Sequence, residues 1–542
     1  MGGHFLAKMA ALAVQSGAQG AVHGAAQGAV HGAALQTPDA SNLPILIVLP
    51  LIAGVILVPG LGLLRRRLAH ATVVVVVLAL LTASLAALRQ VLSAGSLHYK
   101  LAGWTPPIGI EFVLDPLSAF VVLVIAVVAL MVTIYAGSSV RRQNPEREVP
   151  FFAMMVLLLL GLCGMVMTGD LFNLYVFFEI SSLSAYALMA IGDRKAPVSS
   201  FRYLLQGTIG ASFYLLGVGY LYVLTGSLNM ADVAQLLPQL TSNPALTVAL
   251  VFMVAGLSLK AALFPMHLWL PDAYTYASAT STSIIAPLMT KVSAYVLIRM
   301  IYFVYGSEWA LSHLQLGAVI AWLSMLGVIW GSVMAIAQRD PKRMLAYSSI
   351  AQVGYIGVGI GTGNALAMVG AILHIMNHAA MKSSLFMTCG IVEMQTGRHS
   401  LDGWTGLGRK MPWTFVGFAF AAIAMVGLPP TNGFFSKWYL ALGLARAHAW
   451  VLLVLLILSG LLTAGYFFRV LERIYARVPD EEGAVGSSGA AVTLRDPGLT
   501  LVLPPLALGV GTLVLGLVNA WFVSAVILKA LPVALQAQGL GW

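Results

Sequence analysis

The sequence predicts an all-α polytopic membrane protein of about fourteen transmembrane helices, and three observations carry that reading. Of 542 residues, 59% are apolar and only 9% charged, whereas an ordinary soluble domain carries roughly a quarter charged residues. The apolar residues fall in unalternating runs of about 20 or more, the length of a helical span and not the short alternating pattern of a barrel strand. Basic residues stand singly or in small groups between those runs, so the formal net charge of +10 is a topology signal and not a nucleic-acid surface. Backbone inside hydrocarbon must satisfy its own hydrogen bonds, which leaves helices.

Residues 1–42 are rich in Ala, Gly, Gln and His and contain an octad repeat, GAVHGAAQ at 20–27 and GAVHGAAL at 28–35. They read as a low-complexity extension or signal-like segment, in which His4, His23 and His31 offer weak metal binding at most. From there the apolar runs are 43–64, 70–92, 112–136, 149–169, 171–192, 203–225, 245–266, 279–303, 312–336, 345–362, 365–393, 413–445 with a Pro-Pro break, 449–472 and 497–530. The amphipathic stretch 230–240 is expected at the interface, and 475–496, with Asp480, Glu481 and Glu482, as a loop. The expected organisation is helices 1–3 in 43–148, five helices in 149–303, five more in 304–474, and a cytoplasmic loop with a last helix in 475–542.

Charge asymmetry tests the count. Loops after odd-numbered spans hold Arg65, Arg66, Arg67, Arg141, Arg142, Arg147, Arg194, Lys195, Arg202, Arg339, Lys342, Arg343, Arg398, Arg409, Lys410, Arg469, Arg473, Arg477 and Arg495, while loops after even-numbered spans hold only Arg89, Lys100 and Arg446. Arg299 lies near the end of the eighth span. By the positive-inside rule the odd ends face the cytoplasm and both termini face outward.

Five charges remain that no loop claims: Glu179, Lys260, Lys291, Lys382 and Lys437. Each costs about 2.5–3.5 kcal/mol at a helix centre on insertion scales. A static pair of Glu179 with one lysine, the rest snorkelling, accounts for two of them. Groups in low dielectric titrate away from their solution values and can exchange protons near neutrality, which suits a proton relay. Pro265 follows Lys260 by five residues, and Pro429, Pro430 and Gly433 precede Lys437. Such breaks free backbone carbonyls where a span lines a polar cavity, with a packing kink as the plainer alternative. Two broken spans at this spacing fit two five-helix units, and because five is odd, the second inserts inverted. His374, His378 and Lys382 recur every four residues on one helical stripe. HIMNH lacks the glutamate of HExxH and a third ligand, so no metal is expected there. A proton-carrying imidazole or a packing histidine remains. Cys163 and Cys389 are too few for a four-cysteine cluster, and no CxxCH haem motif is present. No cofactor is expected.

The segments TGDLFNLYVFFEISSLSAYALMAIG, LSLKAALFPMHLWLPDAY, QRDPKRMLAYSSIAQVGY, LHIMNHAAMKSSLFMTCG and GLPPTNGFFSKWYL together resemble the antiporter-like subunits of respiratory complex I and the Mrp cation/proton antiporters, most of all the D subunit of the Mrp antiporter, since lysine and not glutamate stands at 437. The resemblance covers nearly everything after residue 42. It implies fourteen helices, two inverted five-helix repeats with broken seventh and twelfth spans, and a polar axis at the membrane midplane. By motif, Glu179 and Lys260 resemble the coupled pair, Lys291 the central lysine, His374, His378 and Lys382 the bridging relay, and Lys437 the terminal lysine. The implied function is proton translocation within a multi-subunit assembly of a bacterial-type inner membrane, as Mrp-type sodium/proton antiport or, alternatively, as a pumping subunit of a complex I-like or hydrogenase-like redox complex without its own redox centre. Expected partners are other membrane subunits, protons, sodium and the bilayer, with no nucleic acid. One departure stands out: where the family has a proline-containing AxPPVSALL-like stretch, this chain reads AYTYASATSTSIIAPLMTKV, placing hydroxyls before Lys291. A quinone- or haem-binding enzyme and a scaffold with vestigial charges are the competing readings.

Overall fold

The computed structural model describes residues 42–476 and 494–538. The N-terminal extension and most of the expected loop at 475–496 lie outside the described residues. In chain order the main elements are α1 (Leu43–Leu64), α2 (Arg66–Ala94), β1 (Leu97–Lys100), β2 (Glu111–Leu114), α3 (Pro116–Gln143), α4 (Glu148–Met167), α5 (Leu171–Met189), α6 (Ala196–Thr225) and the short α7 (Met230–Leu236). They continue with α8 (Pro244–Ala261), α9 (Leu270–Tyr276), α10 (Ala279–Ile298), α11 (Leu316–Ile336), α12 (Pro341–Thr362), α13 (Ala365–Thr396), α14 (Pro412–Val426), α15 (Asn432–Arg446), α16 (Trp450–Tyr475) and α17 (Leu499–Leu517). Among the described residues, twelve helices are long and apolar enough to cross a membrane, so the chain is a polytopic, nearly all-helical membrane protein. Outside that set stand α13, 32 residues long with histidines, Asn377 and Lys382 lowering its apolarity, and the split pair α14 and α15.

Helix boundaries follow local chemistry. Asp115 accepts from the backbone of Ser118 while Ser118 returns a bond to the Asp115 backbone, a capping box with Pro116 in the first turn. Asp170, Asn243, Ser278, Asp340 and Asn364 cap α5, α8, α10, α12 and α13 through side-chain oxygens. Gly226, Gly363 and Gly397 end helices in the left-handed conformation.

Two expectations are corrected. The chain is not wholly helical: β1 and β2 pair antiparallel, with Leu97 opposite Leu114 and Lys100 opposite Glu111. Residues 112–114, expected as the start of the third span, belong to this hairpin, because Asp115–Pro116 starts the helix and leaves the preceding apolar residues extended. The seventh span also ends earlier than expected. Helix α8 stops at Ala261, Ala262 adopts φ 59°, and irregular turns lead to α9.

The helices differ in how deeply they are enclosed. In their most apolar windows α10, with its continuation to Val304, and α12 are each 94% buried within the protein, against 33% for α1 and α16. With α13, nearly all of whose residues are buried, they form the centre of the bundle and carry its polar side chains.

Candidate functional site

Lys260 occupies the last turn of α8, 1% exposed. Its Nζ donates to Ser182 Oγ at 2.5 Å and lies 5.0, 5.3 and 5.0 Å from the ring centres of Phe178, Tyr186 and Tyr203. Three aromatic faces and one hydroxyl thus surround the amine. Trp269 Nε1 donates to Leu259 O at 3.0 Å, a second donor to a last-turn carbonyl that also accepts from Ala262 N at 3.1 Å. Glu179 lies on α5 one turn before Ser182, half-buried, with Oε1 lacking a hydrogen-bond partner. It makes no direct bond to Lys260, and the two interact through space. A static contact pair is not what the side chains form.

Lys291 is 2% exposed on α10. Pro287 lies one turn earlier and has no N–H for the carbonyl four residues before it; that carbonyl, Ser283 O, accepts instead from Ser383 Oγ at 3.1 Å. The Lys291 Nζ folds back to Ala286 O at 2.6 Å and Thr290 Oγ1 at 3.0 Å. Tyr203, one of the aromatic faces around Lys260, reaches with its hydroxyl to Met289 Sδ at 3.6 Å, two residues before Lys291. Lys382, fully buried, donates to Leu345 O at 2.6 Å and to Ser348 Oγ, both on α12.

His374 and His378 stack on α13 with ring centres 5.9 Å apart. His374 is bonded at both nitrogens, Nδ1 to Ser436 Oγ at 2.9 Å and Nε2 to Gln352 Oε1 at 3.0 Å. Ser436 Oγ also reaches Gly433 O at 3.1 Å. With Nε2 donating to Gln352, the Ser436 hydroxyl donates to a neutral Nδ1; if Nδ1 gains a proton, the hydroxyl accepts and turns its hydrogen to Gly433 O. One rotating hydroxyl therefore serves both charge states. His378 has neither nitrogen partnered, and Asn377 Oδ1, both amide atoms of Asn432 and Gln352 Nε2 are likewise buried and unpartnered. Buried polar groups of this kind are ordinarily bonded by water. His378 interacts electrostatically with Lys291, Lys382 and His374, and His374 with Lys437 and Lys291.

Lys437 lies beyond the second break. Helix α14 ends at Val426, Gly427 adopts φ 86°, and α15 begins at Asn432. The Lys437 Nζ returns across this break to donate to Met425 O at 2.8 Å and Val426 O at 3.0 Å, the free carbonyls of α14, and lies 4.8 Å from the Tyr355 ring centre. A cation is favoured at that helix end. Gly370 makes the approach of α15 to α13 possible: a Cβ there would lie 2.8 Å from Leu440 N and Ser436 O.

The residues singled out from sequence thus fall into one central group, Lys291, His374, His378, Lys382 and Lys437, and one pair, Glu179 with Lys260. Sequence reasoning missed Ser182, Gln352 and Ser436, neutral residues invisible to a census of charge, although SKW in the Pro-Pro segment places Ser436 beside Lys437. It also missed the pair Asp115–Arg299, bonded at 2.5 and 3.0 Å, whose members are 184 residues apart.

Buried amines and imidazoles strung across interrupted helices define an antiporter-like membrane subunit. The chain belongs to the family described as NADH:quinone oxidoreductase/Mrp antiporter, whose model matches residues 168–463. It is 47% identical over 498 residues to NADH-quinone oxidoreductase subunit N of Desulforudis audaxviator, covering 91% of this chain and 99% of that one. It is 32% identical over 379 residues to the D subunit of the Na(+)/H(+) antiporter of Alkalihalophilus pseudofirmus, covering 70% of this chain and 75% of that one. The fold superposes on a chain of the Mrp complex from Dietzia with a TM-score of 0.82 at 25% identity, over 92% of this chain and 98% of that one.

Proposed function

We propose that this chain is a proton-translocating, antiporter-like subunit of a multi-subunit membrane complex, and that protons pass along Glu179, Lys260, Lys291, Lys382, His378, His374 and Lys437. The observation that carries this reading is the group around His378, an imidazole with two free nitrogens set among Lys291, Lys382, His374 and unpartnered buried amides. Packing alone does not repay that many desolvated polar groups, whereas a hydrated proton path uses them. With α13 and the α14/α15 pair counted as two further crossings, the chain has fourteen spans. The units 149–303 and 304–474 are then inverted repeats, and both termini face the outer side of an inner membrane.

Two driving reactions fit. Identity with a relative named as the D subunit of a Na(+)/H(+) antiporter supports cation/proton antiport. The 47% identity with a relative named NADH-quinone oxidoreductase subunit N supports a redox-driven pump equally. In either case the partners are other membrane subunits.

The test is proton flux in vesicles carrying the assembled complex. Lys260→Ala and Glu179→Ala each abolish flux while the complex still co-purifies intact; wild-type flux in both variants overturns the reading. Flux driven by a sodium gradient selects the antiporter, and flux that requires an electron donor selects the pump.

A further inference from the structure

Away from the proton-bearing groups, the ends of α11 and α16 border a cleft of about 360 Å³ lined by Gln338, Arg339, Leu401, Asp402, Arg469 and Arg473. Both helices are long and apolar enough to cross the bilayer, and both finish here, so the cleft lies where a span meets water. Arg469 Nη1 and Nη2 donate to Ile336 O at 2.7 Å and Gln338 O at 2.9 Å, covering carbonyls at the end of α11, while its Nε is buried without a partner. Arg473 pairs with Asp402. Arg339 is exposed, with no partner for its guanidinium among the described residues. Three guanidinium groups thus line the cleft beside one carboxylate, which pairs with Arg473 alone. On the membrane side, Trp330 and Val333 of α11 and Phe468 of α16, next to Arg469, are large exposed apolar side chains.

We propose that this cleft binds the phosphodiester headgroup of an anionic phospholipid, with Arg339 and Arg473 as the donors and the acyl chains lying against Trp330, Val333 and Phe468. Planar guanidinium forks match phosphate oxygens in pairs. Unneutralised basic pockets at the ends of spans attract anionic headgroups. The apolar side chains beside the cleft suit an amphiphile and give a soluble anion nothing to bind.

The probe is phosphatidylglycerol. The full chain, purified from vesicles of mixed phosphatidylcholine and phosphatidylglycerol, is examined by native mass spectrometry for retained lipid. Wild type is expected to keep one phosphatidylglycerol in preference to phosphatidylcholine. Arg339→Gln with Arg473→Gln lowers that occupancy about tenfold or more for two lost charges, and Arg67→Gln, an exposed arginine elsewhere, leaves it unchanged. Equal occupancy in the double variant, or an equal loss in Arg67→Gln, overturns the proposal. So does displacement of the lipid by millimolar inorganic phosphate, which assigns the cleft to a soluble anion. Retention of lipid only after Asp480, Glu481 and Glu482 are changed to their amides overturns it too, since the acidic stretch of the chain itself is then the occupant.

Discussion

The two interrupted helices treat their lysines differently. Lys260 stands just before its break, and its amine meets one hydroxyl and three aromatic faces. Lys437 stands after its break, and its amine meets two carbonyls at a helix C-terminus. Aromatic faces stabilise a cation by about 0.5–2 kcal/mol and leave its charge state open to a nearby acid, and Glu179 is the acid within electrostatic reach. Helix-end carbonyls are fixed dipoles that do not depend on any titrating neighbour. On the proposed proton path the first site is therefore the one open to bias by a remote charge, and the second takes up a proton independently of Glu179.

The strongest way to break that contrast is to neutralise the acid without changing its shape. At an effective dielectric of about 20 a unit charge in contact contributes about 4 kcal/mol, and one out of contact, as Glu179 is from Lys260, roughly half of that. Glu179→Gln is accordingly expected to slow proton flux about thirtyfold. If flux stays at wild-type level, Lys260 is not tuned by Glu179 and the two sites are alike in this respect.

A smaller effect is expected at the other site. Ser436→Ala removes the hydroxyl that serves both charge states of His374. Losing a hydrogen bond to a buried group costs about 1–2 kcal/mol, or about tenfold in flux, and Ser436→Thr, which keeps a hydroxyl, restores most of it. A Thr variant as slow as the Ala variant points to a packing role instead.

What was legible in the sequence tracks how local its cause is. Pro265 and Pro429–Pro430 announced both breaks, and every intramembrane lysine stood out against apolar neighbours. The position of Lys260 in the last turn of its helix was not legible, because Ala262, and not a proline or glycine, takes the left-handed turn. The hairpin was hidden for a related reason: Phe112, Val113 and Leu114 are as apolar as the span that follows. Ser436 and Gln352 gain their meaning from His374, 62 and 22 residues away, and no local pattern carries such a contact.

That hairpin supplies the mildest test, and one outside the membrane spans. Glu111 on β2 accepts from His98 Nδ1 on β1 at 3.0 Å and from Asn229 Nδ2 at 2.9 Å, and Asn229 also caps α7, so one carboxylate ties the hairpin to that helix. The hydrogen bond to Glu111 holds His98 above its ordinary 6.5 against the opposing effects of burial and Lys100, with the Asp115 charge adding to the rise. Burial pushes the Glu111 carboxyl up, but the hydrogen bonds from His98 and Asn229, with the charges of His98 and Lys100, outweigh it and leave it below its ordinary 4.5. The histidine's contribution is complete below 6.5 and is lost as pH rises through its raised value. The carboxylate's contribution is complete above 4.5 and is lost as pH falls through its lowered value. The clamp is thus fully made between those two values and loosens on either side. Amide exchange at Leu97–Lys100, corrected for intrinsic rates, should be slowest in that window and rise a few-fold toward about pH 8. His98→Gln should flatten the alkaline limb and keep the acid one, and an alkaline limb unchanged in that variant would show that another group, not His98, governs the hairpin.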